Sequence, residues 1–455
     1  MKKIALVYPA ITSADDFTTG KAFEEVLPPL WALALATYLR EALPGARLEI
    51  LDEQILGPAL FRKKLQTSRY ALAGLSPMAR TYPRSLECAR VLKKNGATVV
   101  FGGHYAPALF REILALRGPG SKDHCLDAIV RFDGEKAFYE LARGTSFSRI
   151  KNLIYKGPGG EIVENPVEEL DLAALPPVNY DLIRPEDYFR LQKPPAHSAR
   201  SLPFISQRGC RWAQGPGRCI FCSIQSHGPT RALRPEDAAL RMAGLKKKYG
   251  VGCLFEGSDD FVADGAWFKE FVRAGRSLDL PELQVFARCS ILNRSNLAGL
   301  RAVNARFIKL GVESLSGRVM TALKKGVTVE MNLRAIRLAL EAGLTPNINL
   351  VLGLPGETRE TLSETFAAIK KLDLPVESCR WASILTLAVL PGTEVWTRLL
   401  EKEPKYRGRD LLDYDESYRD WLHHFCGVTQ AEVLGAKAAM EKYFSTRMEW
   451  LLRNG

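Results

Sequence analysis

Three cysteines carry the clearest chemical signal in this chain of 455 residues. Cys210, Cys219 and Cys222 crowd into one short stretch, whereas Cys88, Cys125, Cys253, Cys289, Cys379 and Cys426 stand far apart. The apolar run at residues 4–9 is too short for a signal-peptide core. The expectation is therefore reduced thiols, metal ligation or catalysis rather than a disulfide framework. Three thiolates on a glycine-containing loop can hold three irons of a cubic iron–sulfur cluster and leave the fourth open to a substrate or cofactor. Zinc is the competing metal, but a structural zinc site asks for four protein ligands, and only His227 lies close enough in sequence to complete one. Three unrelated buried cysteines are the remaining reading.

The elements that must position these cysteines follow from periodicity. Gln207-Arg208-Gly209-Cys210 comes directly after a strand candidate at residues 203–207, and five more follow at 252–256, 284–287, 307–311, 347–352 and 380–386. Six strand–helix repeats without hairpin turns predict a partial (β/α)6 barrel of the TIM type. Its chemistry belongs at the C-terminal strand ends, where the cysteine loop sits. The first 145 residues alternate in the same way, with strand candidates at 3–8, 47–51, 70–75, 98–101 and 128–132. Helical patterns lie between them at 30–43, 83–94, 106–116 and 135–143. They predict an α/β, Rossmann-like open parallel sheet that binds ligands at the carboxyl ends of its strands. Turn-rich residues 146–200 read as a linker with one hairpin around Lys156-Gly157-Pro158-Gly159-Gly160. The expected division is 1–145, 146–200, 201–390 and a helical C-terminal segment, 391–455.

With 46% hydrophobic and 25% charged residues the chain is neither disordered nor fibrous. No apolar run approaches the ~20 residues that cross a bilayer, so a cytoplasmic location is expected. The net charge of +12 hints at an anionic partner. The excess is scattered into short clusters such as Lys246-Lys247-Lys248, more often a solvated helix end than a binding patch, and nucleic-acid binding is not expected.

Ending in Cys219-Ile220-Phe221-Cys222, the loop resembles that of the radical S-adenosylmethionine (SAM) enzymes. The resemblance implies a [4Fe–4S] cluster on Cys210, Cys219 and Cys222, an open iron that chelates SAM, and one-electron cleavage of SAM to a 5′-deoxyadenosyl radical. It extends along the barrel. Gly257-Ser258-Asp259-Asp260 is similar to the segment that receives the SAM amine, and Leu310-Gly311-Val312-Glu313-Ser314 to the ribose- and methionine-contacting Glu-Ser pair, followed by Lys325-Gly326. Leu352-Gly353-Leu354-Pro355-Gly356-Glu357 resembles the glycine turn that lets backbone approach the adenine. Ser258, Asp259, Glu313, Ser314 and Gly353 are thereby the implied SAM contacts, with Arg288 a partner for its carboxylate and Phe221 a neighbour of its adenine. The spacing departs from the family: eight residues, 211–218, separate the first two cysteines in place of three. Loop-closure cost grows slowly with length, so ligation survives the insertion, which is expected to form part of an active-site wall.

Gly74-Leu75-Ser76 and Gly102-Gly103-His104 are turns after the third and fourth strands, where an open sheet takes a large ligand. Together with the order of parts, they make residues 1–390 similar to the cobalamin-binding subgroup of radical SAM enzymes. Tyr8-Pro9, Pro28-Pro29-Leu30, Leu51-Asp52 and Gly134-Glu135 match as well. The Asp-x-His-x-x-Gly signature that supplies a histidine to cobalt is absent from residues 10–20, which implies no histidine below the metal. Gly74, Ser76, Gly102, Gly103 and His104 are the implied corrinoid contacts, His104 by positioning backbone. The loop at 76–82 would approach the lower cobalt face, with Met78, Arg80 and Tyr82 as candidates.

The resemblance implies methyl transfer to an unactivated carbon of a small-molecule or peptide substrate, in a monomer fed electrons by a flavodoxin or ferredoxin-like donor. A cobalamin-dependent radical oxidoreductase or cyclase that moves no methyl is the alternative. A methylthiotransferase would need three clustered cysteines in its N-terminal domain, where only Cys88 and Cys125 stand. A non-catalytic cobalamin sensor would leave the polar strand ends without a purpose. Trp396, Tyr406, Tyr414, Tyr418 and Trp421 are expected mostly in the core.

Overall fold

The computed structural model describes residues 2–11, 26–192, 200–214, 218–224 and 230–454. His227 and residues 12–20, part of the segment lacking the histidine signature, lie outside them.

Aliphatic runs build the first sheet from β1 (Lys3–Tyr8), β2 (Arg47–Asp52), β3 (Leu72–Leu75), β4 (Thr98–Phe101) and β5 (Ala128–Val130), all parallel in the order β2-β1-β3-β4-β5. A sheet covered on both faces needs unbroken apolar strands, and Ile4-Ala5-Leu6-Val7 is at most 1% exposed. The helices Leu30–Ala42 and Glu135–Arg143 cover one face, and Glu53–Thr67, Tyr82–Lys94 and Phe110–Arg117 the other. Strand order reverses between β1 and β3, the switch point at which open sheets take ligands. β5 stops at Val130, short of the expected residue 132, because Phe132 adopts a left-handed φ of 59°. From the segment read as a linker, β6 (Leu153–Lys156) and β7 (Ile162–Glu164) extend this sheet antiparallel beyond β5.

Asp52 ends β2 and caps the following helix: its Oδ1 accepts from Gln54 N at 2.9 Å and its Oδ2 from the Tyr188 hydroxyl at 2.8 Å. Burial pushes its pKa up from 3.8 to about 6 against those hydrogen bonds. The native state thus holds this proton more tightly than the unfolded chain. The resulting stability is complete below about pH 4 and is lost as pH rises through about 6. Asp52→Asn keeps an acceptor oxygen without the charge. It is expected to raise the unfolding free energy at pH 8 by about 1–3 kcal/mol and to flatten its dependence between about pH 4 and 6, read by urea denaturation at stepped pH.

The second sheet opens with β8 (Ser201–Phe204), upstream of the expected 203–207. Pro203 cannot donate to a ladder, and it is tolerated because β8 is an edge strand. A two-residue antiparallel pair, β9 (Gln207–Arg208) and β10 (Arg231–Ala232), brackets the cysteine segment. Then come β11 (Cys253–Glu256), β12 (Glu282–Ala287), β13 (Ala305–Glu313), β14 (Thr345–Leu352) and β15 (Ser383–Thr386). All six long strands run parallel in the order β8-β11-β12-β13-β14-β15, a half-barrel. β15 begins at Ser383 rather than 380, since Arg380 still belongs to the helix Val376–Trp381. The barrel core continues into the helices Glu394–Lys402, Tyr414–Phe425 and Gln430–Asn454. Trp396, Tyr406, Tyr414, Tyr418 and Trp421 are all buried, as core packing requires, and Tyr414 joins the core of the first sheet. Among the described residues, no two of the nine cysteines form a disulfide. Among the described residues, no helix is long and apolar enough to cross a membrane.

Candidate active site

One buried acid clamps the start of the cysteine segment. Glu256, the last residue of β11, is 0% exposed. Its Oε1 accepts from the Ser206 backbone N and hydroxyl, both at 2.8 Å, and from Ser258 Oγ at 2.7 Å, and its Oε2 accepts from Ser258 N at 3.1 Å. Ser258 Oγ in turn accepts from Gln207 N at 2.9 Å. Burial holds the Glu256 pKa above the usual carboxylate range. Gly209, at φ 90°, leads into Cys210. Beyond the second cysteine, the carbonyl of buried Ile220 accepts from Val395 N at 3.1 Å. The loop is thus pinned on both sides of its insertion.

All three thiols are partly exposed. Burial raises the pKa of each, that of Cys219 to about 11 and that of Cys222 to about 12. After burial, the charges of Cys219, Asp259 and Cys210 oppose ionisation of Cys222. Thiols that oppose one another as anions suit a shared cationic centre. Among the described residues, no three His, Cys, Asp or Glu side chains converge on the position of a single metal ion. A cubane spreads its ligands over separate irons and needs no such convergence.

The strand ends add charges from distant parts of the chain. β13 is irregular at Gly311–Glu313, and Glu313 takes a φ of 62°. Its carboxylate pairs with Lys325 Nζ at 2.5 Å, and the same ammonium donates to Gly311 O at 2.5 Å. Burial opposes the charge on Lys325, but Glu313 outweighs it and the pKa stays above its ordinary value. Arg288, after β12, is half-buried. Its backbone N donates to Asp260 Oδ1 at 3.4 Å, and its Nη2 to Ser290 Oγ at 3.1 Å and Lys325 O at 3.3 Å. The guanidinium lies 4.0 Å from the Trp212 ring, a cation–π pair. Its Nε is buried without a hydrogen-bond partner among the described residues. Trp212 belongs to the insertion and rests on Gly326, where φ is 67° and a Cβ would stand 2.5 Å from the indole. Asp259 is pushed up to about 7 by burial and then by Glu256, and Asp260 to about 6 by burial against Arg288. Phe221 sits half-buried at the edge of the barrel core.

Gly353, following β14 at φ 81°, gives its carbonyl to Trp421 Nε1 at 2.9 Å, and a Cβ there would strike the Tyr418 phenol. Gly353→Ala is expected to cost about 2–4 kcal/mol in chemical denaturation, from a left-handed alanine and a displaced buried ring.

Between the two sheets lies a cavity of 1330 Å³. Gly74, Ser76, Gly102, Gly103 and His104 from the first sheet line it, as do Met78 and Arg80 of the following loop; Pro203, Arg208, Phe255 and Lys309 line it from the barrel. The glycines are there for different reasons. A Cβ on Gly103, at φ 77°, would stand 2.5 Å from Ser76 Oγ, whereas one on Gly74 would stand 2.7 Å from the Phe138 ring, so Gly74, which lines the cavity, also lets Phe138 pack against the sheet. Gly102 meets nothing closer than 3.8 Å and leaves room on the cavity side. Burial lowers His104 to about 4, so its imidazole is neutral near pH 7. Two residues before Cys210, Arg208 donates to Asp133 Oδ1 at 2.8 Å and to Glu135 Oε1 at 2.7 Å. Its register partner Arg231 also pairs with Asp133. Two arginines facing each other across β9 and β10 repel, and the two acids of the first sheet offset that repulsion. The cysteine loop and the cavity wall are therefore joined by one ion network.

Three of the expected contacts are engaged in hydrogen bonds within the protein. The Ser258 hydroxyl is used by Glu256 and Gln207, and Ser314 Oγ bonds to Thr365 Oγ1 at 3.1 Å and accepts from Ser316 N at 3.2 Å. Both serines are at most 2% exposed. Tyr82 does not reach the cavity. Its ring is 1% exposed and packs 4.9 Å from Tyr105, and its hydroxyl donates to Asp410 Oδ2 at 2.7 Å. Glu256, Arg208 and Asp133 were not anticipated. The available signal was an acid immediately before Gly257-Ser258 and a pair of arginines flanking the cysteines.

Residues 204–369 match the radical SAM superfamily. The chain is 25% identical over 414 residues to an uncharacterized methyltransferase of Pyrococcus horikoshii, covering 87% of this chain and 82% of that one. It is also 25% identical over 377 residues to the anaerobic magnesium-protoporphyrin IX monomethyl ester cyclase of Rubrivivax gelatinosus, covering 78% of this chain and 64% of the cyclase. Among solved structures it resembles the radical SAM methyltransferase TsrM from Kitasatospora setae with cobalamin and a [4Fe–4S] cluster bound. The TM-score is 0.68 at 18% identity, over 88% of this chain and 75% of TsrM.

Proposed function

We propose that this chain, whose residues 204–369 match the radical SAM superfamily, is a cobalamin-dependent methyltransferase acting on an unactivated carbon of a small-molecule or peptide substrate. The observation that carries this reading is the clamped three-thiol loop joined by one ion network to a 1330 Å³ cavity at the switch point of the neighbouring sheet. The donor set fits the cofactors. Three thiolates suit a [4Fe–4S] cluster with one open corner. Arg288, whose buried Nε has no hydrogen-bond partner among the described residues, Glu313, Asp259 and the Gly353 turn would hold SAM. A cavity above the ~300–1,000 Å³ of ordinary small-ligand pockets suits a corrinoid, with Gly74, Ser76, Gly102, Gly103, His104 and Arg80 as its wall. When bound, the cluster and SAM supply one-electron hydrogen abstraction, and cobalamin supplies the methyl group. The chain's own residues hold the parts in line. Glu256 fixes the start of the loop, Arg208 ties that loop to the corrinoid wall, and Glu313 holds Lys325 in place at the strand ends.

The proposal includes a corrinoid unit at 1–145, a linker at 146–200, the barrel at 201–390 and a helical segment at 391–455. It also includes a cytoplasmic monomer served by a flavodoxin or ferredoxin-like donor. The similarity to the ester cyclase favours a second reading, radical chemistry without methyl transfer. Anaerobic reconstitution with iron, sulfide, cobalamin, SAM and a reductant tests both. 5′-Deoxyadenosine with S-adenosylhomocysteine is the expected pair of products. Deoxyadenosine alone favours the cyclase-type reaction, and neither product overturns both readings.

A further inference from the structure

Trp212, the second residue of the insertion between the first two cysteines, belongs neither to the thiol set nor to the clamp on its loop. The chain is anchored on both sides of it. Arg211 Nη1 pairs at 3.3 Å with Oδ2 of Asp264, which caps the helix Gly265–Gly275, and Ala213 N donates to Cys210 O at 3.0 Å. The indole reaches from this segment to two other loops. It lies on Gly326, where a Cβ would stand 2.5 and 2.6 Å from two of its ring atoms, and its ring centre is 4.0 Å from the guanidinium carbon of Arg288. Arg288 in turn stands near the thiols. Burial raises the pKa of Cys219 while Lys325 and then Arg288 lower it, so both cations act on that sulfur.

Loop packing alone does not account for a tryptophan here. Leucine or phenylalanine would fill the place over Gly326, whereas the indole brings an N–H that is buried with no hydrogen-bond partner among the described residues, which is costly. What tryptophan adds over either is the best aromatic face for a cation. Arginine is long and flexible, and holding it in one place costs side-chain entropy. A ring stacked on the plane of the guanidinium removes that freedom and leaves the edges, where the N–H groups point, for hydrogen bonds. Nη2 is taken by Ser290 Oγ and Lys325 O, and Nε is buried with no partner among the described residues. A carboxylate is the acceptor that a guanidinium edge matches best.

We infer that Trp212 is a positioning residue: wedged between Gly326 and Arg288, its indole holds the guanidinium in place for the carboxylate of SAM. The inference rests on the reading of the strand ends as a SAM site, and it deepens that reading by giving the long cysteine loop a part in binding.

The test uses the full chain reconstituted anaerobically with cluster and cobalamin, and measures by equilibrium dialysis the binding of SAM and of decarboxylated SAM, which lacks the carboxylate. Trp212→Leu is expected to weaken SAM about fivefold or more, the order of one partly desolvated cation–π contact, and to leave decarboxylated SAM within about twofold. Trp212→Phe keeps an aromatic face and should bind SAM more tightly than Trp212→Leu does. In an Arg288→Met background, Trp212→Leu should cost little further affinity, because residues that act through one another are not additive. Iron and sulfide content and thermal unfolding equal to wild type show that loop and fold are intact. Unchanged SAM affinity in Trp212→Leu, an equal loss for both ligands, a full further loss in the double variant, or loss of iron from either Trp212 variant overturns the inference. Deoxyadenosine formation is read on the same samples. Wild-type protein that forms deoxyadenosine while Trp212→Leu binds SAM unchanged removes this inference alone, and wild-type protein that binds no SAM removes the SAM reading with it.

Discussion

Cys219→Ala is expected to reduce deoxyadenosine formation to background while leaving the chain folded and able to bind corrinoid. Cys219 is partly exposed on a loop held by Glu256 at one side and by Ile220 to Val395 at the other. Removing its sulfur empties no core position, and a stability change of about 1 kcal/mol or less is expected. Iron is another matter. Three thiolates are the minimum for holding a cubane with one open corner, and with two the cluster is lost or scavenges a foreign ligand at that corner. Cys88→Ala is the matched control: Cys88 is buried in the first sheet's core, so the variant should lose stability and no iron. Iron and sulfide analysis with the visible spectrum of reconstituted protein reads the difference. Full iron content and wild-type deoxyadenosine formation in Cys219→Ala would remove the basis of the proposed function.

The largest loss of stability is expected from Asp410→Ala, far from the cysteines. Asp410 is 2% exposed. It accepts from the Tyr82 hydroxyl at 2.7 Å and from Arg117 Nε and Nη2 at 2.7 and 3.0 Å, and its backbone carbonyl accepts from the Tyr105 hydroxyl at 3.1 Å. These bonds run from the C-terminal segment to helices of the first sheet, and Arg117 lies 293 positions from its partner in sequence. Alanine leaves a mostly buried guanidinium with only Asp123 and leaves the Tyr82 hydroxyl without its acceptor. Breaking a buried pair at one side costs about 3–5 kcal/mol, a large part of a total on the order of 5–15. Asp410→Asn keeps an acceptor and should lose less. The double variant Arg117→Met/Asp410→Leu should be more stable than Asp410→Ala, because no buried charge is left unmatched. Guanidinium denaturation of the set gives the comparison, and a loss below about 1 kcal/mol for Asp410→Ala would show that this contact anchors nothing.

Much of the architecture was legible because parallel strands covered on both faces must be continuous apolar runs. Residues 3–8 and 98–101 emerge with the expected bounds, and all six barrel strands are present. Errors gather at strand ends, where backbone conformation decides: Phe132 turns left-handed and stops β5, and residues 380–382 remain outside the last strand. Side-chain direction was less legible. Ser258 and Ser314 lie in segments that look like ligand contacts, and Tyr82 follows a cavity-lining loop. In the structure all three make internal hydrogen bonds, to partners from two to 328 positions away.

By itself, the sequence determined the two α/β units, their order and the three-thiol loop, because periodicity and ligand spacing are local and written in consecutive residues. Only the tertiary structure decided which acids hold that loop, how Arg208 joins it to the cavity, which expected contacts face inward, and that Trp212 stacks on Arg288. Each of those outcomes depends on burial and on partners tens to hundreds of positions away, where the cost of an unmatched polar group sets which way a side chain turns.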